Sequence, residues 1–312
     1  HSIVSDSTEN FGSINELADE YYHRLKEIDG INKKRHWLHK RVSKQIEKLS
    51  STLQKQIDAI ENASKAERFK NIGDIITANI YRIGKGSQTL VAEDYSTGEM
   101  IAIKLDPRIS PAANAQKNYK KYNKLKSGLS MTVKRMVENK KEILFLESVQ
   151  VSLDSSETMN ELDEIEYELI KTGVISTGKN ARSIETPSVP YCFLSSDGYT
   201  VLAGKNNRQN DLLTMKTAAP DDIWVHTKDI PGSHVVITGA KGSVPDKTIF
   251  EASAIAATLS KAKGSSKVAV DYTQRKNVRK PNGAKPGMVV YERYNTVLVN
   301  PDKSLFEKLL VK

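Results

Sequence analysis

The chain predicts an α+β protein. It reads as a long antiparallel coiled-coil helical hairpin with a small α/β domain at its tip, followed by a mixed α/β domain. Three observations carry that prediction. Gly and Pro are absent from Ile31 to Ile72, where apolar residues step by three and four. A second stripe with the same spacing returns after a compact insert. Beyond Ser188 the period changes to short alternating strands separated by Gly, Pro, Asn and Asp.

Residues 1–13 are polar and without periodicity and read as a linker. From Ile14 the pattern is helical, and 14–70 is assigned to the first coiled-coil helix. Ile28, Ile31, Arg35, Leu38, Val42, Ile46, Leu49, Leu53, Ile57 and Ile60 form its stripe. At ~1.5 Å per residue the Gly- and Pro-free part alone spans about 60 Å, too thin and charged to stand without a partner. Residues 71–124 form the tip. Asn71 to Ile83 reads as a short helix ending at Gly84, and Gln88–Tyr95 with Met100–Leu105 reads as a hairpin around Ser96-Thr97-Gly98-Glu99. Pro111 suits the first turn of the returning helix. In that helix, assigned to 125–172, Leu125, Leu129, Val133, Met136, Ile143 and Leu146 make the second stripe, extended by Leu162, Ile165 and Leu169.

Residues 173–187 read as a second linker and 188–312 as the last domain. There Tyr191–Leu194 and Tyr199–Ala203 flank Ser195-Ser196-Asp197-Gly198, a hairpin signal. The polar run Gly204–Asp211 opens a helix to about Met215. Asp222–Ile237 holds two strands, with Pro231-Gly232 at the centre of a type II turn. An Ala-rich helix over Thr248–Ala262 and strands at Lys267–Tyr272, Gly287–Tyr291 and Thr296–Val299 complete the domain.

Composition narrows the function classes. Hydrophobic residues are 38% and charged residues 27%, and no run of ~18 apolar residues would span a membrane. The chain opens on His1-Ser2-Ile3 without initiator Met or apolar leader, compatible with a piece of a longer protein. The one cysteine, Cys192, rules out an internal disulfide and a thiolate zinc cluster and suits a reducing cytoplasm. The net charge of +9 is uneven: residues 186–312 hold 18 Lys and Arg against 11 Asp and Glu, whereas 1–185 are nearly balanced. A basic module of this kind suits a polyanion, although a solvated basic surface would look the same.

Asp222, Trp224, His226, Lys228, Asp229 and His234 gather the rarer residue types and would suit a catalytic site, a metal site or a recognition surface. A Ser-His-Asp triad is disfavoured, because Ser233 and His234 are neighbours and strand neighbours point to opposite faces. A metal on His226, His234 and an aspartate is weighed against two hydrogen-bonded scaffold histidines, the commoner case. Cys192 lies between two aromatic residues in a strand, the setting of a buried structural cysteine. Gly84-x-Gly86 lacks a third glycine, and no Walker motif exists. No catalytic residue, metal ligand or cofactor is therefore assigned.

Nucleic-acid recognition accounts for more features together. Arg275, Lys276, Arg279, Lys280 and Lys285 fall in one loop stiffened by Pro281 and Pro286, with Lys205, Asn207 and Arg208 in a second polar run. Trp224, Tyr272, Tyr291 and Tyr294 offer stacking faces, and His226 and Lys228 lie beside them in sequence. Lys117, Lys120, Lys121 and Lys124 cluster with Tyr119 and Tyr122 at the start of the returning helix, as a phosphate-contacting or merely solvated face.

Asp222–Ile237 closely resembles the signature of the NFACT-R domain. The likeness extends to Gly204–Asp211, Lys280–Gly287, Ile103–Pro107, Asn114–Gln116 and Lys121–Lys126, and covers about Phe11 to Val299. The chain is similar to the bacterial RqcH branch of the NFACT family, often labelled fibronectin-binding proteins and related to eukaryotic NEMF. The resemblance implies only the coiled-coil/middle and NFACT-R parts of the family's layout. It implies a non-enzymatic cytoplasmic factor that binds the obstructed large ribosomal subunit and tRNA, alanyl-tRNA in bacteria. In that role it supports C-terminal alanine tailing, the ribosome performing peptide transfer. Lys117, Lys120, Lys121 and Lys124 would contact rRNA at the stalk base. Lys205, Asn207, Arg208, Trp224, His226, Lys228, Arg275, Lys276, Arg279, Lys280 and Lys285 would contact RNA. A further partner would be the NFACT-N half, where the family's Asp-Arg pair for tRNA lies. The alternatives are a fibronectin- or fibrinogen-binding adhesin and, last, a metal-dependent hydrolase or nuclease.

Overall fold

A computed structural model describes residues 11–176, 187–241 and 243–311. The expected linker 1–13 lies mostly outside the described residues, and so does most of 173–187. The chain has two compact units, one comprising His1–Ile46 with Leu144–Lys312 and the other Glu47–Ile143. The architecture is α+β, as the sequence predicts.

Helix α1 spans Ile14–Ser64 and α2 spans Ala66–Ala78, followed by a 3-10 turn at Ile80–Arg82. The expected single helix to residue 70 thus breaks at Lys65. In the Glu47–Ile143 unit, β1 (Thr89–Asp94) and β2 (Glu99–Lys104) form an antiparallel hairpin, and α3 (Pro111–Ser155) starts on its proline. Ile75 and Ile76 of α2, Leu90 and Ala92 of β1, Ile103 of β2 and Ala115 of α3 make the small core there. α3 runs antiparallel to α1. Asn139 Nδ2 donates to Gln56 Oε1 at 3.0 Å in this unit. In the other, Gln150 bonds Ser43 at 3.0 Å and Asp154 bonds His39 at 2.9 Å. Numbers rise on one helix as they fall on the other.

The predicted stripe of α1 is not buried throughout. Leu38 and Val42 are fully buried, but Ile28 is 52% exposed and Leu17, Tyr21 and Leu25 are exposed with it. Helix α4 (Met159–Lys171) begins at a capping box, in which the Thr158 side chain takes the Glu161 N–H and Glu161 takes the Thr158 N–H. Its Leu162, Ile165 and Leu169 are buried, as are Phe145, Leu146, Val149 and Leu153 of α3.

The C-terminal residues build one antiparallel sheet in the order β10-β7-β5-β6-β4-β3. Its strands are β3 (Tyr191–Leu194), β4 (Thr200–Ala203), β5 (Ile223–Thr227), β6 (Val235–Ile237), β7 (Val268–Gln274) and β10 (Asn295–Val299). Strand alternation sorts the side chains onto two faces. Val201, Ile223, Val225, Val235, Ile237 and Val270 pack with α6 (Asp246–Thr258), whose Ala252, Ala256 and Ala257 allow close approach. The rings of Phe193 and Phe306 add an edge contact at 4.9 Å, the latter from α7 (Lys303–Leu309). Trp224 and Val236 face the other way, toward Leu213, Ala218 and Val278. That second face is covered by α5 (Asn207–Leu212), a π-helical turn over Leu213–Thr217, and a ribbon of β8 (Val278–Arg279) with β9 (Val290–Tyr291). Among the described residues no helix is long and apolar enough to cross a membrane.

Candidate nucleic-acid interface

The stretches Gly204–Asp211, Asp222–Ile237 and Lys280–Gly287, distant in sequence, are tied together by hydrogen bonds on the Trp224 side of the sheet. Asn206 caps α5 by accepting from Gln209 N. That capping orients Asn210, whose Oδ1 accepts from His234 N at 3.0 Å. Asp211 takes the Lys280 ammonium and, at 3.1 Å, the Gly287 N–H. His234 Nε2 donates to the Gly287 carbonyl at 3.1 Å, so its Nδ1 accepts from the Thr214 hydroxyl at 2.7 Å. Thr214 lies in the π-helical turn, whose Thr214 and Met215 carbonyls take Arg275 Nε at 2.7 Å and Nη2 at 3.1 Å. Gly287 has φ +75° and an added Cβ would overlap Asn207, so only glycine fits there.

The turn within Asp222–Ile237 differs from expectation. Asp229, at φ 54°, supplies the left-handed residue, one step past Lys228. Gly232 is not left-handed. It is small because a Cβ would come 3.0 Å from both Ser260 Cβ and Thr227 Oγ1.

Trp224 is fully buried. The His226 ring stacks on it at 5.5 Å, and the rings of His234 and Tyr291 meet it at 5.2 Å and 4.8 Å. Its indole Nε1 is buried without a hydrogen-bond partner among the described residues. Burial lowers His226 to about 4 and holds His234 well below the usual histidine range, so both rings are neutral at pH 7. The aromatic group reaches solvent at its rim. There Lys228 lies 4.8 Å from the Tyr294 ring centre and 3.8 Å from the buried Asp271 carboxylate. Asp271 also accepts from Tyr291 Oη at 2.8 Å and Thr296 Oγ1 at 2.6 Å. Burial, then that hydrogen bond, pushes the Tyr291 phenol up.

The candidate RNA-contacting residues separate by what they touch inside the chain. Asn207 is buried and donates 2.9 Å bonds to Ser148 and Glu168. Lys205 bonds Glu161 at 2.7 Å and lies 4.7 Å from the centre of the Tyr191 ring. Arg275, Lys280 and Trp224 are internal braces, as described. The Lys285 ammonium lies 4.6 Å from the Phe145 ring centre. Arg208 is exposed with its guanidinium 5.4 Å from the Tyr167 ring centre, and exposed Lys276 meets exposed Asp221 at 2.8 Å. Arg279 is exposed and makes no ion pair among the described residues.

Sequence reasoning missed the acidic row on α4. Glu161, Glu164 and Glu168 are buried and meet Lys205, Asn206 and Asn207 in that order. Glu164 also accepts from Ser188 N–H and Oγ. Burial raises Glu168 to about 7. The spacing of three and four beside Leu162, Ile165 and Leu169 was the available signal, since it puts the carboxylates on the edge of the apolar stripe.

The Asp222 carboxylate takes Ala219 N at 2.8 Å and Gly239 N at 2.9 Å, as a backbone brace. His226 and His234 rings lie edge to face at 5.4 Å. Among the described residues no group of three or more His, Cys, Asp or Glu could hold a metal ion.

In the Glu47–Ile143 unit, Lys117, Lys120, Lys121 and Lys124 are all exposed on α3. Lys117 lies 3.6 Å from Asp106 and Lys121 lies 5.1 Å from the Phe69 ring centre. Lys120 and Lys124 have no ion pair among the described residues. Tyr119 packs on Gly73 and donates to Asp74 at 2.7 Å, and Tyr122 holds Lys126 at 2.8 Å.

Residues 1–186 match the NFACT N-terminal and middle domains, and residues 189–293 match the NFACT protein RNA binding domain. The chain belongs to the NFACT family. It is 39% identical over 306 residues to the "Rqc2 homolog RqcH" of Bacillus subtilis and 36% identical over 302 residues to that of Streptococcus suis. Each match covers 96% of this chain but only 53% and 54% of those proteins, so the chain spans about half their length. A Drosophila melanogaster "Ribosome quality control complex subunit NEMF homolog" is 28% identical over 173 residues, 54% of this chain and 15% of its own. Among solved structures, the C-terminal part of the fibronectin/fibrinogen-binding protein from Streptococcus suis aligns with a TM-score of 0.72. It is 32% identical, and the alignment covers 90% of this chain and 99% of that one. These NFACT matches account for the resemblance carried by Asp222–Ile237 and the five other stretches.

Proposed function

We propose that this chain is the middle and RNA-binding portion of a ribosome quality-control factor. It binds the obstructed large ribosomal subunit and tRNA and supports C-terminal alanine tailing of stalled nascent chains, without itself catalysing peptide transfer. Its compartment is the cytoplasm, and the NFACT-N half is its covalent or associated complement. The observation that carries the reading is the match of residues 189–293 to an RNA-binding domain on the part of the chain with the positive balance. Arg208, Lys228, Lys276 and Arg279 are the cations best placed for phosphate, since Lys205, Arg275 and Lys280 brace the fold and Lys285 lies over Phe145.

The test is co-sedimentation with large subunits over a potassium chloride series. Arg208→Glu with Arg279→Glu, both at exposed positions, should weaken binding and flatten its salt dependence by roughly 0.7–0.9 in log–log slope per lost contact. Unchanged affinity and slope would remove these residues from the interface.

The likeness to a protein named for fibronectin and fibrinogen binding supports a second reading, an adhesive surface. Retention on immobilised fibronectin at high salt, with no large-subunit binding, would place that reading first.

A further inference from the structure

The face of the sheet that carries α6 has an unassigned cavity of about 580 Å³ beside the paired strands β7, β5 and β10. That volume lies in the range of about 300–1,000 Å³ typical of small-ligand sites. It lies on the opposite side of the sheet from Trp224. Tyr272, at one wall, is half-buried and packs against the α6 core. Asn295 is its direct antiparallel neighbour, and Gln274 follows two residues along on the same face. Cross-strand partners hold their Cβ atoms about 4.5–5.5 Å apart, so ring and amide present together. Two cations close the rim. Arg293 is exposed, lacks an ion pair among the described residues, and sits at φ 54° with its carbonyl held by Thr273 Oγ1 at 3.0 Å. Among the described residues Lys276 pairs only with the exposed Asp221, a contact of little strength that a phosphate can displace. Asp246 adds one acceptor to the wall.

This combination has the parts of a site for an unstacked nucleotide: an aromatic wall, the Asn295 amide for a base edge, an acid for a sugar hydroxyl or exocyclic amine, and cations for phosphate. Two other tyrosines of the domain are already engaged, although Tyr294 is the more exposed. Tyr291 is bound to Asp271 and packed on Trp224, and Tyr294 lies under Lys228. We propose that this cavity receives one unpaired nucleotide of an RNA strand, with its base against Tyr272 and its phosphate at Lys276 and Arg293. The proposal rests on the reading of residues 189–293 as RNA-binding and adds that the domain takes a single-stranded element on its α6 face.

The experiment measures fluorescence anisotropy of a labelled mixed-sequence single-stranded RNA and of a blunt RNA duplex on the intact chain. Tyr272→Ala and Arg293→Glu should each weaken the single strand roughly tenfold or more, while Tyr272→Phe keeps affinity and duplex binding does not change. Arg293→Glu, at an exposed position, decides the matter if Tyr272→Ala fails to fold by circular dichroism. RNA binding by the parent chain that neither Tyr272→Ala nor Arg293→Glu alters overturns the cavity assignment alone. A parent chain that binds neither RNA overturns the domain's RNA-binding reading and this proposal together.

Discussion

Glu168 on α4 and the histidine pair of the sheet respond to pH in opposite directions. Glu168 is raised to about 7, above its ordinary 4.5, so its contribution to stability is full below 4.5 and is lost as pH rises through 7. His226 is lowered to about 4 and His234 well below its ordinary range, so their contribution is present above 6.5 and is lost as pH falls through their folded values. Each can shift stability by at most about 1.4 kcal/mol per pH unit, and the opposing slopes overlap between 4.5 and 6.5. Glu168→Gln keeps an acceptor for Asn207 and removes the titration. Urea unfolding should then show no loss of stability between pH 6 and 8, and a steeper loss than the parent chain between pH 6.5 and 5. A wild-type pH profile in the variant would show that Glu168 is not the group responsible. Residue identity alone did not reveal this, because burial of the α4 carboxylates is created by Lys205, Asn206 and Asn207 from a separate motif.

At the scale of elements, the helical stripes were legible and their detailed occupancy was not. Val133 was expected in the seam of α3, yet it is 38% exposed, and half-buried Thr132 and Asn139 take the inward positions. The seam drifts because an α-helix turns 3.6 residues rather than 3.5. Asn139 with Gln56 is a polar pair between the helices, as are Gln150 with Ser43 and Asp154 with His39, and a pair of this kind sets register at some expense of stability. Asn139→Leu should raise the melting temperature by a few degrees in circular dichroism and produce extra species in size-exclusion chromatography. A single monomeric species with a lower melting temperature would argue against a register role. Boundaries of β3, β4, β5 and β7 were read well because their alternation is strong, whereas β8 falls in a stretch read as a loop and the expected strand Gly287–Tyr291 shortens to β9. The turn after β5 was misread because Pro-Gly favours a type II turn locally, whereas the packing of Gly232 on Ser260 and Thr227 takes precedence.

For the whole molecule, two separate units carry exposed cations, and the proposed function uses both. Lys120 and Lys124 in the Glu47–Ile143 unit are exposed and unpaired among the described residues, as is Arg279 in the other unit. Lys120→Glu with Lys124→Glu should therefore lower large-subunit affinity without affecting the isolated single-stranded RNA, and should add to the effect of Arg208→Glu with Arg279→Glu. Independent sites add in free energy, so the quadruple variant should show the product of the two fold-changes. Loss of free RNA binding in the Lys120/Lys124 variant would contradict a division of labour between the units.

The sequence by itself determined the α+β class, the helical hairpin, most of the strands along the chain and, through Asp222–Ile237 and five other stretches, the family. These follow from local periodicity, turn chemistry and contiguous residue patterns. Only the tertiary structure decided what each motif residue does. Trp224, Asn207, Arg275 and Lys280 have the residue types of an RNA-contacting surface, yet their side chains are committed to packing and hydrogen bonds within the chain. Arg279 and Arg293 remain exposed, and Tyr272 lines an open cavity. Exposure and partnership arise from contacts between residues far apart in sequence, so spacing could nominate the Asp222–Ile237 cluster but could not separate the braces of the site from its free surface.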